Sequence, residues 1–179
     1  ERVNAAATTW LALAQTNPLD AGAPRLMEKA IDIYRKAGFQ QRVLEVEALF
    51  VQTYGIGSEF WAAHSPAEFP EVQESLQSSL QELARYSSAQ ADSTVGNAQL
   101  RDAEHWYRLY LAAYATEAAA AQMNFELAEL LYADSRYREA LQEYEKTAWS
   151  YGPHAHASEA ALGAQRAAGK VLPEAGAAE

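Results

Sequence analysis

The feature that most constrains the fold is a series of apolar stripes at three- and four-residue spacing, cut at intervals by glycine and proline. Leu26, Met27, Ala30, Ile31, Tyr34 and Ala37 form one stripe, and Val43, Val46, Leu49 and Phe50 the next. Val72, Leu76, Leu80 and Leu83 follow. Ala103, Trp106, Tyr107, Tyr110, Leu111 and Tyr114 form the clearest stripe, continued by Met123, Leu127, Leu130 and Leu131. Tyr137, Ala140, Leu141, Tyr144, Ala148 and Tyr151 close the strongly patterned part. This spacing puts each set on one side of an α-helix, and no segment shows the strict alternation of a half-buried strand. The 39 Ala and 18 Leu against 7 Val and 3 Ile favour helix in the same way.

The pattern predicts an all-α chain of about eight helices, over 3–16, 23–37, 40–54, 68–91, 97–115, 118–134, 137–151 and 156–168. Short loops between them predict antiparallel neighbours, the geometry of an α-solenoid of stacked helical hairpins. The expected domain covers 1–169, with 170–179 a linker or tail. Residues 55–67 are a longer connection carrying Phe60 and Trp61, and 92–97 read as a polar loop ending in a helix N-cap. The chain starts Glu1-Arg2-Val3, which reads as a fragment or processed product of a longer protein.

Charge and composition narrow the function classes. The formal net charge of −10 opposes binding to nucleic-acid phosphate or an anionic membrane. With no cysteine there are no disulfides, thiolate metal sites or cysteine nucleophiles. No stretch approaches the roughly 20 apolar residues that span a bilayer, because Thr116 and Glu117 interrupt the most alanine-rich window.

An internal repeat emerges when the chain is offset against itself by 98 residues. Met27, Ala30, Ile31, Tyr34 and Phe39 then meet Phe125, Ala128, Glu129, Tyr132 and Tyr137. With one residue removed from the first copy, Thr53-Tyr54-Gly55 falls on Ser150-Tyr151-Gly152. The unit is two helices and a tight turn. The second copy, with Leu127-Ala128, Ala140-x3-Tyr144 and Pro153, resembles the tetratricopeptide repeat, although Asn124 and Leu131 stand where that family usually has Trp and Tyr. Ala103-x3-Tyr107 repeats the second-helix signature. The wording of residues 125–146 is similar to bacterial envelope members of the family, including outer-membrane assembly lipoproteins and a Tol–Pal-associated periplasmic repeat protein.

The resemblance implies a non-catalytic protein-binding scaffold whose first helices line a concave face. It places Gln122, Phe125, Glu129 and Tyr132 there, and by the repeat Met27, Ile31 and Tyr34. The family's carboxylate clamp of Lys and Asn is absent, and an aromatic, acidic face suits an apolar or basic segment of a partner. Adjoining repeats of a longer chain are the other expected partner, and periplasm or envelope the favoured compartment. Phe60 and Trp61 either present a second aromatic surface or fold back onto neighbouring helices.

No constellation for chemistry stands out. His154 and His156 with Glu159 are the one closely spaced metal candidate, and their simpler reading is decoration of a loop and helix start. His64 with Glu68 and Glu71 lacks zincin spacing, Gly55-Ile56-Gly57 lacks the strand and third glycine of a dinucleotide loop, and Ser78-Ser79 and Ser87-Ser88 lack the setting of an activated serine. The expectation is no enzyme and no cofactor. A spacer role within a larger repeat protein, and a metal- or small-molecule-binding helical domain, remain open as alternatives.

Overall fold

The computed structural model describes residues 2–91 and 98–176, all of it helix, turn and loop, with no strand among the described residues. The helices are α1 (Arg2–Thr16), α2 (Ala23–Lys36), α3 (Gln40–Tyr54), α4 (Glu59–Ala63), α5 (Pro70–Gln90), α6 (Ala98–Ala113), α7 (Ala120–Ala133), α8 (Tyr137–Ser150) and α9 (Ala157–Gly176). A single 3₁₀ turn, Pro66–Glu68, precedes α5. The chain is therefore the all-α array of antiparallel helical hairpins that the stripes predict. No described helix is long and apolar enough to cross a membrane.

Three details differ from the sequence reading. The 55–67 connection contains the short helix α4 and the 3₁₀ turn. The last helix passes Gly169 and Pro173 to reach Gly176, so 170–176 continue α9 instead of forming a linker. The chain also divides into two compact units, Glu1–Leu83 and Ala84–Glu179, with the division inside α5, where one domain is expected. The polar loop and N-cap at 92–97 lie outside the described residues.

Within each unit a run of three helices recurs. Thr16 and Ala113 end α1 and α6 and are 97 positions apart, as are Ala23 and Ala120, which start α2 and α7, and Gln40 and Tyr137, which start α3 and α8. The loops repeat bond for bond. Ala23 N–H donates to the Asp20 carbonyl and Ala120 N–H to the Glu117 carbonyl, both at 2.9 Å. In the hairpin turns, Phe39 N–H reaches the Tyr34 carbonyl and Arg136 N–H the Leu131 carbonyl, both at 3.0 Å. The turn pivots on Gly38 at φ +74° and Ser135 at φ +62°. Glycine takes that left-handed conformation freely, whereas Ser135 adopts it as a non-glycine residue, with its N–H donating to the Tyr132 carbonyl at 3.0 Å.

In the first unit α1 packs on α2, α2 on α3, and α4 on α3. Met27, Ala30, Ile31, Tyr34, Val43, Phe50 and Tyr54 are buried between them. The Tyr34 hydroxyl donates to Asn4 Oδ1 at 3.0 Å and ties α1 to α2. In the second unit α6 packs on α7, α7 on α8 and α8 on α9. Ala128 and Ala140, the small residues of the repeat motif, are buried there with Tyr107, Leu127 and Tyr144. Across α6 and α8, Arg136 pairs with Glu104 and Glu139, and Arg108 with Glu104 and Glu143.

Asn124 is fully buried, and its side chain is satisfied by α8 and the residue after it. Its Nδ2 donates to the Glu143 carbonyl at 2.8 Å and to Thr147 Oγ1 at 2.9 Å, and its Oδ1 accepts from the Tyr151 hydroxyl at 3.3 Å. A latch of this kind fixes the phase of α7 against α8, because a rotated helix would strand buried polar atoms. Asn124→Ala should lower stability by about 2 kcal/mol. An unchanged urea midpoint would show that the latch contributes nothing.

The approach of α9 to α8 depends on Gly163. A Cβ there would lie 2.4 Å from Tyr144 Cε1, and the fully buried Tyr144 ring has no room to move aside. Gly→Ala in an open helix usually gains about 1 kcal/mol. Gly163→Ala should instead destabilise by roughly 1–3 kcal/mol through overpacking. A raised thermal midpoint in that variant would refute the close packing.

Candidate functional site

The outer stripe of α7 carries Gln122, Phe125, Glu129 and Tyr132 at steps of three and four, which places them on one side of the helix. Gln122 is exposed and the other three are half-buried. Opposite stands α9, with Glu159, Leu162, Gln165 and Arg166 on its facing stripe. Between the two helices runs an open groove of about 720 Å³, lined by those four residues with Phe125 and Glu129. Leu162 is 61% exposed at its rim.

The groove is held in shape from beneath. The Phe125 ring stacks on His156 at 4.9 Å and 14°, and lies 6.1 Å from Tyr144. Glu129 accepts the Tyr144 hydroxyl and the Arg166 guanidinium, the latter at 3.2 Å. Burial and the neighbouring Glu129 push the Tyr144 hydroxyl pKa upward, which keeps it a donor. Arg166 also covers the Tyr132 ring at 5.5 Å. One side of the groove thus already seats a cation between a carboxylate and an aromatic face.

A second depression of about 510 Å³ lies on the other flank of α7, where Leu100 and Tyr107 meet Phe125, Glu126 and Glu129. Glu126 accepts from Arg85 at 3.0 Å, from Gln122 at 2.8 Å and from the Tyr107 hydroxyl at 3.2 Å. Phe125 and Glu129 therefore line both hollows.

The expectation for the first unit is corrected. Met27, Ile31 and Tyr34 are buried at 1%, 5% and 2% exposure and belong to the core, although Ile31 also reaches the edge of a cavity. The structural repeat has a period of 97, not 98, and one residue turns a helix by 100°. The true counterparts of Phe125, Glu129 and Tyr132 are Glu28, Asp32 and Arg35. Those residues do line a cavity of about 350 Å³, with Glu47 of α3 and Glu71, Glu74, Ser75, Ser78 and Ser79 of α5. Chemistry there is ionic. Arg35 bonds Glu47 at 2.6 Å and Glu82 at 2.9 Å, and Arg25 pairs with Glu71 at 2.8 Å.

Phe60 and Trp61 fold back as a structural knot. Phe60 is 1% exposed, its ring 5.2 Å from Tyr54, 4.9 Å from Trp61 and 5.4 Å from Phe69. The Trp61 indole N–H donates to the Tyr54 carbonyl at 2.6 Å. His64 packs on Phe60 and meets the Leu19 carbonyl at 2.9 Å.

His154 and His156 are engaged within the fold. His154 Nε2 lies 2.8 Å from the Thr147 carbonyl, its Nδ1 accepts the His156 N–H at 3.2 Å, and His156 Nδ1 lies 3.1 Å from Glu159 Oε2. Among the described residues no group of three or more His, Cys, Asp and Glu side chains is placed to hold a metal ion. His105 packs against Trp106 at 4.8 Å. In comparisons with known proteins the chain matches no family model, no curated protein and no solved structure.

The ionic cavity makes stability depend on pH. Burial, then the negative charge of Glu82, outweigh Arg35 and raise the Glu47 pKa from 4.5 to about 8. Between those values the folded state holds a proton that the unfolded state has released, so stability falls as pH rises through that window. Glu47→Gln should flatten this part of the Tm–pH curve. A Tm slope between about pH 5 and pH 8 identical to the parent's would assign the dependence elsewhere.

Proposed function

We propose that the chain is a non-catalytic helical-repeat scaffold, of tetratricopeptide type, that captures another protein along the α7 face. The observation that carries this reading is that Phe125 and Glu129 line open hollows on both flanks of α7. Leu162 adds exposed apolar surface on the facing helix. Preformed helices bind at little ordering cost, and half-buried aromatics are the usual anchors of such surfaces. The partner segment this face suits is apolar with a basic residue, since Glu129 and Tyr132 already hold Arg166 in that manner. The motif residues Leu127, Ala128, Ala140 and Tyr144, all packed inside the α7–α8 hairpin or against its neighbours, support the family reading. By the same resemblance the setting is a bacterial envelope assembly.

The test is affinity capture from envelope and soluble fractions of the source organism, with bound proteins identified by mass spectrometry. Phe125→Ala/Tyr132→Ala should weaken capture of a retained protein by at least about tenfold while circular dichroism stays helical. Leu162→Lys/Gln165→Glu changes only exposed positions of α9 and should do the same without touching the packed rings. Capture unchanged in both variants would overturn the α7 face. No captured protein at all would favour the spacer role within a larger repeat protein.

A further inference from the structure

We propose that the cavity between α2, α3 and α5 in the first unit binds a primary alkylammonium group, with Glu47 as its inner carboxylate. This is independent of the α7 face, which lies on other helices. Glu28, Asp32, Glu47, Glu71 and Glu74 line the cavity, with Arg35 as the cation among its lining residues. Arg25 meets Glu71 from outside that lining, and Arg35 is shared between Glu47 and Glu82. Carboxylates therefore outnumber the guanidinium groups that face them.

Glu47 points to what is missing. It is 1% exposed, one oxygen is bonded to Arg35, and the buried Oε2 has no donor from the chain, its carboxyl neighbour Glu82 being a second acceptor. Glu28 Oε1 is buried without a partner as well. When ionised, both are acceptors alone, and a buried acceptor left unfilled is costly. The cavity of about 350 Å³ holds far more than a single water, whose share of liquid volume is about 30 Å³.

The lining selects among cations. A metal ion needs convergent carboxylates, and no such group is present among the described residues. An ammonium is compact and offers three rotatable donors, which suit carboxylate oxygens together with the hydroxyls of Ser75, Ser78 and Ser79. Ile31 at the edge gives a methylene stem an apolar contact. Without such a cation the cavity holds protons instead, and burial raises the pKa of both Glu28 and Glu47. The charged groups that act on Glu47 are Arg35 on α2 and Glu82 on α5, and the cavity lining adds Glu28 and Asp32 on α2 and Glu71 and Glu74 on α5. Binding of an ammonium exchanges it for the proton on Glu47, so affinity rises with pH.

Titration calorimetry with cadaverine and with acetyl-Gly-Lys-Gly-amide tests this, run at about pH 6 and about pH 9. The expected result is saturable binding, tighter at the higher pH, with proton release. Stronger binding of the peptide identifies a lysine side chain as the natural ligand, and stronger binding of cadaverine a free amine. Glu47→Gln and the half-exposed Glu28→Gln should each weaken binding by about tenfold, and Glu45→Gln, outside the cavity on α3, should leave it unchanged. Absence of saturable binding for both probes overturns the proposal. So does equal binding by both cavity variants, or an equal loss in Glu45→Gln.

Discussion

The hairpin turn at Gly38 and Ser135 is the constraint on which the rest of each unit depends. There the backbone enters the left-handed region and the next amides return to the carbonyls of the helix just ended. The reversal makes the two helices antiparallel and fixes the rotation of the first about its axis. Counted back ten and six residues from the pivot, the groove-lining positions are Glu28 and Asp32 in one copy and Phe125 and Glu129 in the other, and three residues back stand Arg35 and Tyr132. The geometry is held constant while the side chains on it change completely.

That constancy explains what could be read from the sequence. Helix content and hairpin pairing follow from the stripes, because apolar spacing reports which side of a helix is buried. Which side of α7 is less buried follows from the same spacing, since Phe125, Glu129 and Tyr132 interrupt the buried series of Met123, Leu127, Leu130 and Leu131. The first-unit face was not. Matching Tyr34 to Tyr132 and Ala30 to Ala128 follows residue identity and slips the repeat by one position, exchanging the core side of α2 for its groove side. Aligning Gly38 with Ser135 needs no residue removed, and loop chemistry was the better guide to register. The short helix α4 escaped because five residues are too few for a period to show, and Phe60 is buried by its neighbours Tyr54 and Phe69, which are not on its own helix.

Buried polar groups then decide how tightly the helices are phased. Asn124 occupies the position of Met27 in the other copy, and both are inaccessible. Methionine fills the space with apolar contact and tolerates small rotations, whereas Asn124 bonds to Glu143, Thr147 and Tyr151 in one orientation alone. Gly163 adds a steric condition of the same kind on α9, whose backbone lies against the Tyr144 ring. The second unit therefore presents its groove on helices with little freedom to turn, which is what a preorganised recognition surface requires.

The deepest difference between the two grooves is the residue beneath them. Glu47 and Tyr144 are 97 positions apart, occupy the same place on α3 and α8, and are both buried. Tyr144 is a donor. Its hydroxyl satisfies Glu129, and the floor of that groove is closed by the chain itself. Glu47 is an acceptor placed among other acceptors. Arg35 fills one of its oxygens and leaves the other without a donor, beside the Glu82 carboxylate. One substitution of polarity at a shared position thus turns a self-satisfied aromatic floor into an acidic one that takes its missing donor from a proton or from a cation outside the chain.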